Sequence, residues 1–411
     1  MTDAPAPPET TDTTGATAGS VKKVLAALLL PLFFVVAFPL MFVSALHNPT
    51  PHDLSLLIVG PEQVVGQIAD GLDETDEFAA THTDVSDEAR SSVQNRTVDG
   101  SIQVVVDTAD ATADAAPTFT VTAFVANAEG RSVASTVQAA ATSVAAELGT
   151  TATIVDVAPL ADTDQLGVTL FYLLTYTSLA AYLVIIVLTQ VQPKAGLRVR
   201  FAAVAVASVL APLIVFGLSS IWVGDYGASF GSIMGLLGVN ALYVFTVGSA
   251  AILIQQFLGN AATFGIMSFI VFLNFPSAGG AGPAAMLPPF WQAIHSFYFG
   301  AGAMESFRSI VYFDGNGATR WILQLLGWTV GLVLATIVVH LAKTVIAQRR
   351  ELAELTAIVT TVATVVDADQ AAPKHVKVDA VFLDHSAIEG DPALADAGQQ
   401  RSIGAREGAD R

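Results

Sequence analysis

From Tyr226 to Met304 the chain carries no Asp, Glu, Lys or Arg. A water-soluble domain interleaves charges, which ordinarily make up about a quarter of its residues. Here they make up 13% of the whole chain, hydrophobic residues make up 53%, and mean hydropathy is +0.59. The sequence therefore reads as a membrane protein in contact with the lipid bilayer.

A helix crosses a bilayer core about 30 Å thick with roughly 20 consecutive apolar residues. Val24–Leu46, Leu166–Val191, Phe201–Val223 and Trp321–Leu341 meet that requirement without a charge. Small residues divide the long uncharged run into two further spans, at about Phe230–Gln255 and Thr263–Phe275. The reading is six transmembrane helices. Val24–Leu46 follows Lys22 and Lys23 but is too long for a signal-peptide core and lacks a small-x-small cleavage site, so it reads as a retained anchor kinked at Pro31 and Pro39. Lys22, Lys23, Lys194, Arg198, Arg200, Lys343, Arg349 and Arg350 fall on one side of six crossings. By the positive-inside rule both termini are cytoplasmic, in the cell membrane. Arg308 and Arg320 are the minor exceptions on the other side.

The segment 47–165 is then extracytoplasmic. It holds nineteen acids against the three bases Arg90, Arg96 and Arg131, which is most of the chain's net charge of −18. Leu54–Val59, Ser101–Asp107, Thr118–Ala126 and Thr151–Val157 read as strands. A helix opens after Gly60-Pro61, and another spans Ser132–Leu148, closed by Gly149. The result is a small acidic α/β domain between the first two membrane helices. Residues 1–22 read as a disordered cytoplasmic tail. The last helix extends beyond Arg350 to about Val366, within a cytoplasmic tail over 347–411.

Several chemistries are missing. An excess of acid argues against nucleic-acid binding, which needs clustered cations. With no cysteine, no disulfide, thiolate or Cys-ligated metal can form. There is no Walker-type phosphate loop and no HExxH, and no nucleophile–base pair stands out, so neither an enzyme nor a cofactor is expected. His82 reads as an exposed loop histidine, Asp73–Glu77 as a solvated acidic loop, and Asn95-Arg-Thr97 as a chance glycosylation triplet.

The region before the last span is more informative. Leu273-Asn-Phe-Pro276 ends a helix, and Ser277–Pro283, with Gly279 and Gly280, reads as a flexible apolar loop. Phe290–Ala303, with Trp291, is too short to span and reads as a re-entrant or interfacial element, near 284–305. Glu305 and Arg308 follow at i,i+3 spacing, either paired at membrane depth or as a surface ion pair at the headgroups. Gly231, Gly235 and Gly238 offer close-packing surfaces in the fourth helix, with Asn240 as a polar contact.

Asn274-Phe-Pro-Ser-Ala-Gly-Gly280, Leu287-Pro-Pro-Phe-Trp291 and Arg308-Ser-Ile-Val-Tyr-Phe-Asp-Gly315, with Asp99-Gly100 and Asp156-Val-Ala-Pro159, carry a resemblance. One helix, a large extracytoplasmic domain, further helices and a re-entrant hairpin before the last resembles the permeases of type-2 ABC exporters. The nearer likeness is to the phage-infection-protein-like branch and related actinobacterial membrane proteins. This resemblance implies a homodimer served by a separate cytoplasmic ATPase. It places a coupling loop at Gln192–Arg200, with Lys194, Arg198 and Arg200, and a gate around Gly279, Gly280, Pro283, Trp291, Glu305 and Arg308. Met1–Ser20 does not read as the amphipathic helix that such permeases often carry before the first span. The expected function is export of a hydrophobic or amphipathic substrate such as a lipid, glycolipid or peptide. The alternative is a non-transporting envelope scaffold or receptor whose extracytoplasmic domain binds a partner.

Overall fold

The computed structural model describes residues 25, 28–107 and 117–371. Expectations for residues 1–22 and for the chain beyond Ala371 fall outside them. Among the described residues, five helices are long and apolar enough to cross a membrane, and they make the chain membrane-embedded: α1 (Leu28–Leu46), α5 (Thr169–Val191), α6 (Leu197–Val223), α7 (Phe230–Leu258) and the span Ala318–Thr364 within α11 (Ala318–Ala371). In α1, Pro39 opens a π-helical turn over Pro39–Val43, the local disturbance expected where proline removes a backbone donor. The stretch expected at Thr263–Phe275 forms the shorter helix α8, Ala262–Ser277, itself interrupted by a π-helical stretch at Met267–Leu273. At 1.5 Å per residue it reaches about 24 Å, less than the bilayer core.

Between α1 and α5 lies the α/β domain: β1 (Leu54–Val59), α2 (Glu62–Asp73), β2 (Phe78–Thr83), α3 (Glu88–Gln94), β3 (Gly100–Asp107), β4 (Thr118–Val125), α4 (Arg131–Glu147) and β5 (Ala152–Asp156). The sheet order is β2-β1-β3-β4-β5. Only β3 and β4 pair antiparallel; β1 runs parallel to both β2 and β3, and β4 to β5. Four expected strands are present, within a residue or so at each end. β2 and α3 are additional, and they correct the reading of His82. It lies on edge strand β2, with Nε2 3.0 Å from Glu62 Oε1.

The sheet buries both faces, as its mostly parallel ladder requires. Val65 and Ala69 of α2 and Val137, Ala141 and Val144 of α4 cover one face, against Leu54, Leu56, Ile58, Ile102 and Val104. Ala89 and Val93 of α3 cover the other, against Leu57, Val59 and Phe124. Each face also takes a residue from the membrane part. Met286 is 2% exposed in the first cluster and Phe313 is 4% exposed in the second.

Phe290–Ala303 is not one helix. It divides into α9 (Pro289–His295) and the start of α10 (Phe299–Tyr312), because Ser296–Tyr298 breaks the helix. Of the three glycines expected to give close packing, only Gly235 does, with Ile310 Cγ2 3.3 Å from where a Cβ would stand. Gly238 faces open space and Gly231 meets only Ser229 Oγ at the start of its own helix, 3.7 Å from where a Cβ would stand; the tight approach in α7 is Gly248 against Val204 of α6. Asn240 accepts a hydrogen bond from Thr177 at 2.9 Å, the expected polar contact between helices. Among the described residues, those from 345 to 371 fall in a unit separate from the rest.

Candidate functional site

Arg96 follows the C-cap of α3 with φ +58°, an unusual conformation for a side chain of this size. That backbone turn directs the guanidinium away from the sheet and towards α10. All five of its N–H donors find acceptors. Nε donates to Glu129 Oε2 at 3.0 Å, and Nη2 donates to Glu129 Oε1 at 2.7 Å and to Glu305 Oε2 at 2.5 Å. Nη1 donates to the Glu305 carbonyl at 3.0 Å and to Ser309 Oγ at 2.6 Å. The guanidinium also stacks 5.0 Å from the centre of the Phe313 ring. Glu129 is placed by the turn between β4 and α4, where its N–H donates to the Ala126 carbonyl.

Glu305 sits on a helix whose first eleven residues are all buried. Its second oxygen accepts from Arg308 Nη1 at 2.6 Å, and Arg308 Nη2 donates to the Gly279 carbonyl at 2.5 Å. The i,i+3 pair is thus formed at 2% and 4% exposure, which corrects the surface alternative. Two guanidinium groups meet two carboxylates, so the cluster balances. His295 donates from Nδ1 to the Ser277 carbonyl at 2.8 Å, leaving Nε2 3.9 Å from Glu305 Oε1, outside hydrogen-bond reach.

Burial alone would push the Glu305 carboxyl up, but Arg308 and Arg96 outweigh it and hold the group well below the usual carboxylate range. Burial would likewise lower the Arg96 guanidinium, and the Glu129 and Glu305 charges together hold it above its ordinary value instead. Asp99 shows the opposite balance. Burial and then the Glu129 charge raise its carboxyl, against hydrogen bonds from Ser55 N at 2.8 Å and Ser55 Oγ at 2.6 Å. A cavity of about 470 Å³ opens beside the cluster, lined by Arg96, Asp99, Glu129, His295, Arg320 and Trp321 among others. Arg320 lies over the Trp321 ring, 4.7 Å from its centre.

The other expected gate residues fasten the same junction. Gly279 has φ +79°, and a Cβ there would stand 2.9 Å from His295 Cε1 and 3.2 Å from Glu305 Oε1. A Cβ on Gly280 would collide with Phe171 of α5. Pro283 packs onto Gly130 at the start of α4. The Ala285 carbonyl accepts from His52 N at 3.0 Å, and Trp291 Nε1 donates to Ser44 Oγ of α1 at 3.2 Å. The loop expected to be flexible is therefore packed: Ser277–Gly280 is buried, and its far end is pinned to the domain.

At the expected coupling loop, Lys194 and Arg198 are exposed. Arg200 turns inward and donates to Gln255 Oε1, to Thr189 Oγ1 at 3.3 Å, and to the carbonyls of Ala195 at 3.1 Å and Pro193 at 3.4 Å. It holds the loop together rather than standing free beside the other two. Sequence reasoning missed Arg96, Glu129 and His295; a triplet such as Asn95-Arg-Thr97 gives no hint that its arginine is buried. Comparisons with known protein families, with curated proteins and with solved structures find no match.

Proposed function

We propose that this chain is the permease subunit of an ABC-type exporter. It moves a hydrophobic or amphipathic substrate across the cytoplasmic membrane with a separate ATPase, with the α/β domain outside and both termini inside. The observation that carries the reading is how the cluster divides. Were the domain to part from α10, Arg96 would keep Glu129 and Arg308 would keep Glu305. Each half leaves as a neutral pair, so parting costs the Arg96–Glu305 contacts without stranding a buried charge, the most expensive outcome. Such a junction suits a gate that opens and closes.

Two grooves support an apolar cargo: one of about 360 Å³ at Leu253, Ile254, Phe257 and Phe269, the other of about 530 Å³ at Leu183 and Val187. The positions of the two ends of α8 support a sixth crossing. It starts at Ala262, shortly after the end of α7 whose Gln255 accepts from Arg200, and ends at Ser277, whose carbonyl accepts from His295 beside Glu305. In this reading α9 and α10 form the re-entrant hairpin. The scaffold reading has its own support, since a cluster with every Arg96 donor used also suits a permanent tether.

The test is a gentle-detergent pull-down with mass spectrometry, comparing the native chain with a Lys194→Ala/Arg198→Ala variant that leaves Arg200 in place. A stoichiometric Walker-motif ATPase, lost in the variant, is the expected result. Recovery of only the chain itself or of envelope proteins, even after crosslinking, would move the reading to the scaffold.

A further inference from the structure

Beyond the apolar span, α11 carries a second pattern. Leu352, Leu355, Val359 and Val362 recur at steps of 3, 4 and 3, and are 64%, 59%, 67% and 57% exposed. Steps that alternate between 3 and 4 place these residues at a and d of a heptad. Val345 takes the preceding a position, and Gln348 is a polar layer at d. Ile358, at g, widens the seam, while the outer positions hold Ala353, Glu354, Ala357, Thr360 and Thr361. The Thr360 and Thr361 hydroxyls donate back to the Thr356 and Ala357 carbonyls, so that side of the helix needs no partner.

A seam of period 3.5 fits another helix with the same period. One such helix is always at hand. Every copy of this chain enters the bilayer in the same orientation, so two copies of α11 leave it on the same side, parallel and in the same register. A partner helix from another protein would have to match both period and direction independently. Counted back along the sequence, the register places Gly327 at d and Gly331 at a, a small-xxx-small step of the kind that lets membrane helices approach closely. In the membrane part these two glycines line an open groove of about 450 Å³ with Gln324, Trp328 and Leu332, and nothing lies within 4 Å of where their Cβ atoms would be.

We infer that residues 345–362 form a parallel, in-register coiled coil with a second copy of this chain. The inference does not depend on what the membrane part transports, and its test reads only which residues meet.

The native chain has no cysteine, so single substitutions report cleanly. Each of Leu355→Cys, Val359→Cys and Val362→Cys, oxidised in native membranes, should give a disulfide-linked dimer. Ala353→Cys, Ala357→Cys and Thr360→Cys should give at least tenfold less. A Leu355→Asp/Val359→Asp variant should lose the dimer in detergent while the rest of the chain keeps its unfolding temperature. Equal linkage at all six positions, linkage at none, or linkage of the seam cysteines to a different protein would each overturn the inference.

Discussion

Replacing Glu305 with Gln removes one of two negative charges from a site where two guanidinium groups are held at 9% side-chain exposure or less. One carboxylate oxygen becomes an amide whose donors face a guanidinium, so a hydrogen bond is lost along with the charge. Removing one partner of a buried ion pair costs about 3–5 kcal/mol, because the other is left buried and uncompensated. At about 2–4 °C per kcal/mol for a chain of 150–250 residues, and less for a longer one, the apparent unfolding temperature should fall by roughly 5–15 °C. The assay is tryptophan fluorescence during heating in detergent at one fixed scan rate, because the apparent midpoint of an irreversible transition depends on scan rate. Trp291 and Trp321, close to the junction, make the signal local. Adding Arg308→Gln removes the matched pair and leaves Arg96 with Glu129. The double variant should therefore be less destabilised than the sum of the two single changes by at least about 1 kcal/mol. An unfolding temperature within about 1 °C of native for Glu305→Gln, or strict additivity in the double variant, would refute a buried, balanced cluster.

Three further outcomes follow from the geometry. Gly280→Ala should destabilise by about 1–3 kcal/mol through overlap with Phe171, and Phe171→Leu should restore part of the loss in the same thermal assay. Arg200→Ala frees the loop carbonyls and should make trypsin cleavage after Lys194 and Arg198 several-fold faster, whereas Gln192→Ala, which leaves the Arg200 bonds intact, should not. Asp99 has a raised carboxyl, so the native state holds its proton more tightly than the unfolded chain does. Its contribution is favourable below about pH 3.9 and is lost as pH rises through the raised value. The stability of the native chain relative to Asp99→Asn should therefore decline from about pH 4 towards neutrality, and a flat difference would count against burial of that carboxyl.

Much of the architecture was legible in the sequence, because hydropathy and periodicity are local signals. The anchor, α5, α6 and α7 follow from uncharged length alone, and β1 matches its expected bounds at Leu54–Val59. β2 was not legible because Phe78-Ala-Ala-Thr-His-Thr83 lies on a sheet edge, with a single buried residue and no clean alternation. The same limit governs the site. The Glu305–Arg308 pair was visible as a spacing on one helix, but its bond to Arg96 joins residues 209 positions apart. No periodicity carries information over that separation. Gly231 and Gly238 illustrate the reverse error. Small residues permit close approach, and only the packing decides where it happens.

The two residues that the membrane part lends to the sheet have a consequence for synthesis. β5 ends at Asp156, yet Met286 and Phe313, which complete the cores on its two faces, are made much later. While the ribosome is still producing α5 to α8, the domain has a gap on each face. It can reach its final packing only after the later helices have been inserted and the loop before α9 has returned to it. Correct insertion of the last third of the chain is thus registered by the folding of the first third, and a protease with access to the domain would meet it loosened wherever that insertion had failed.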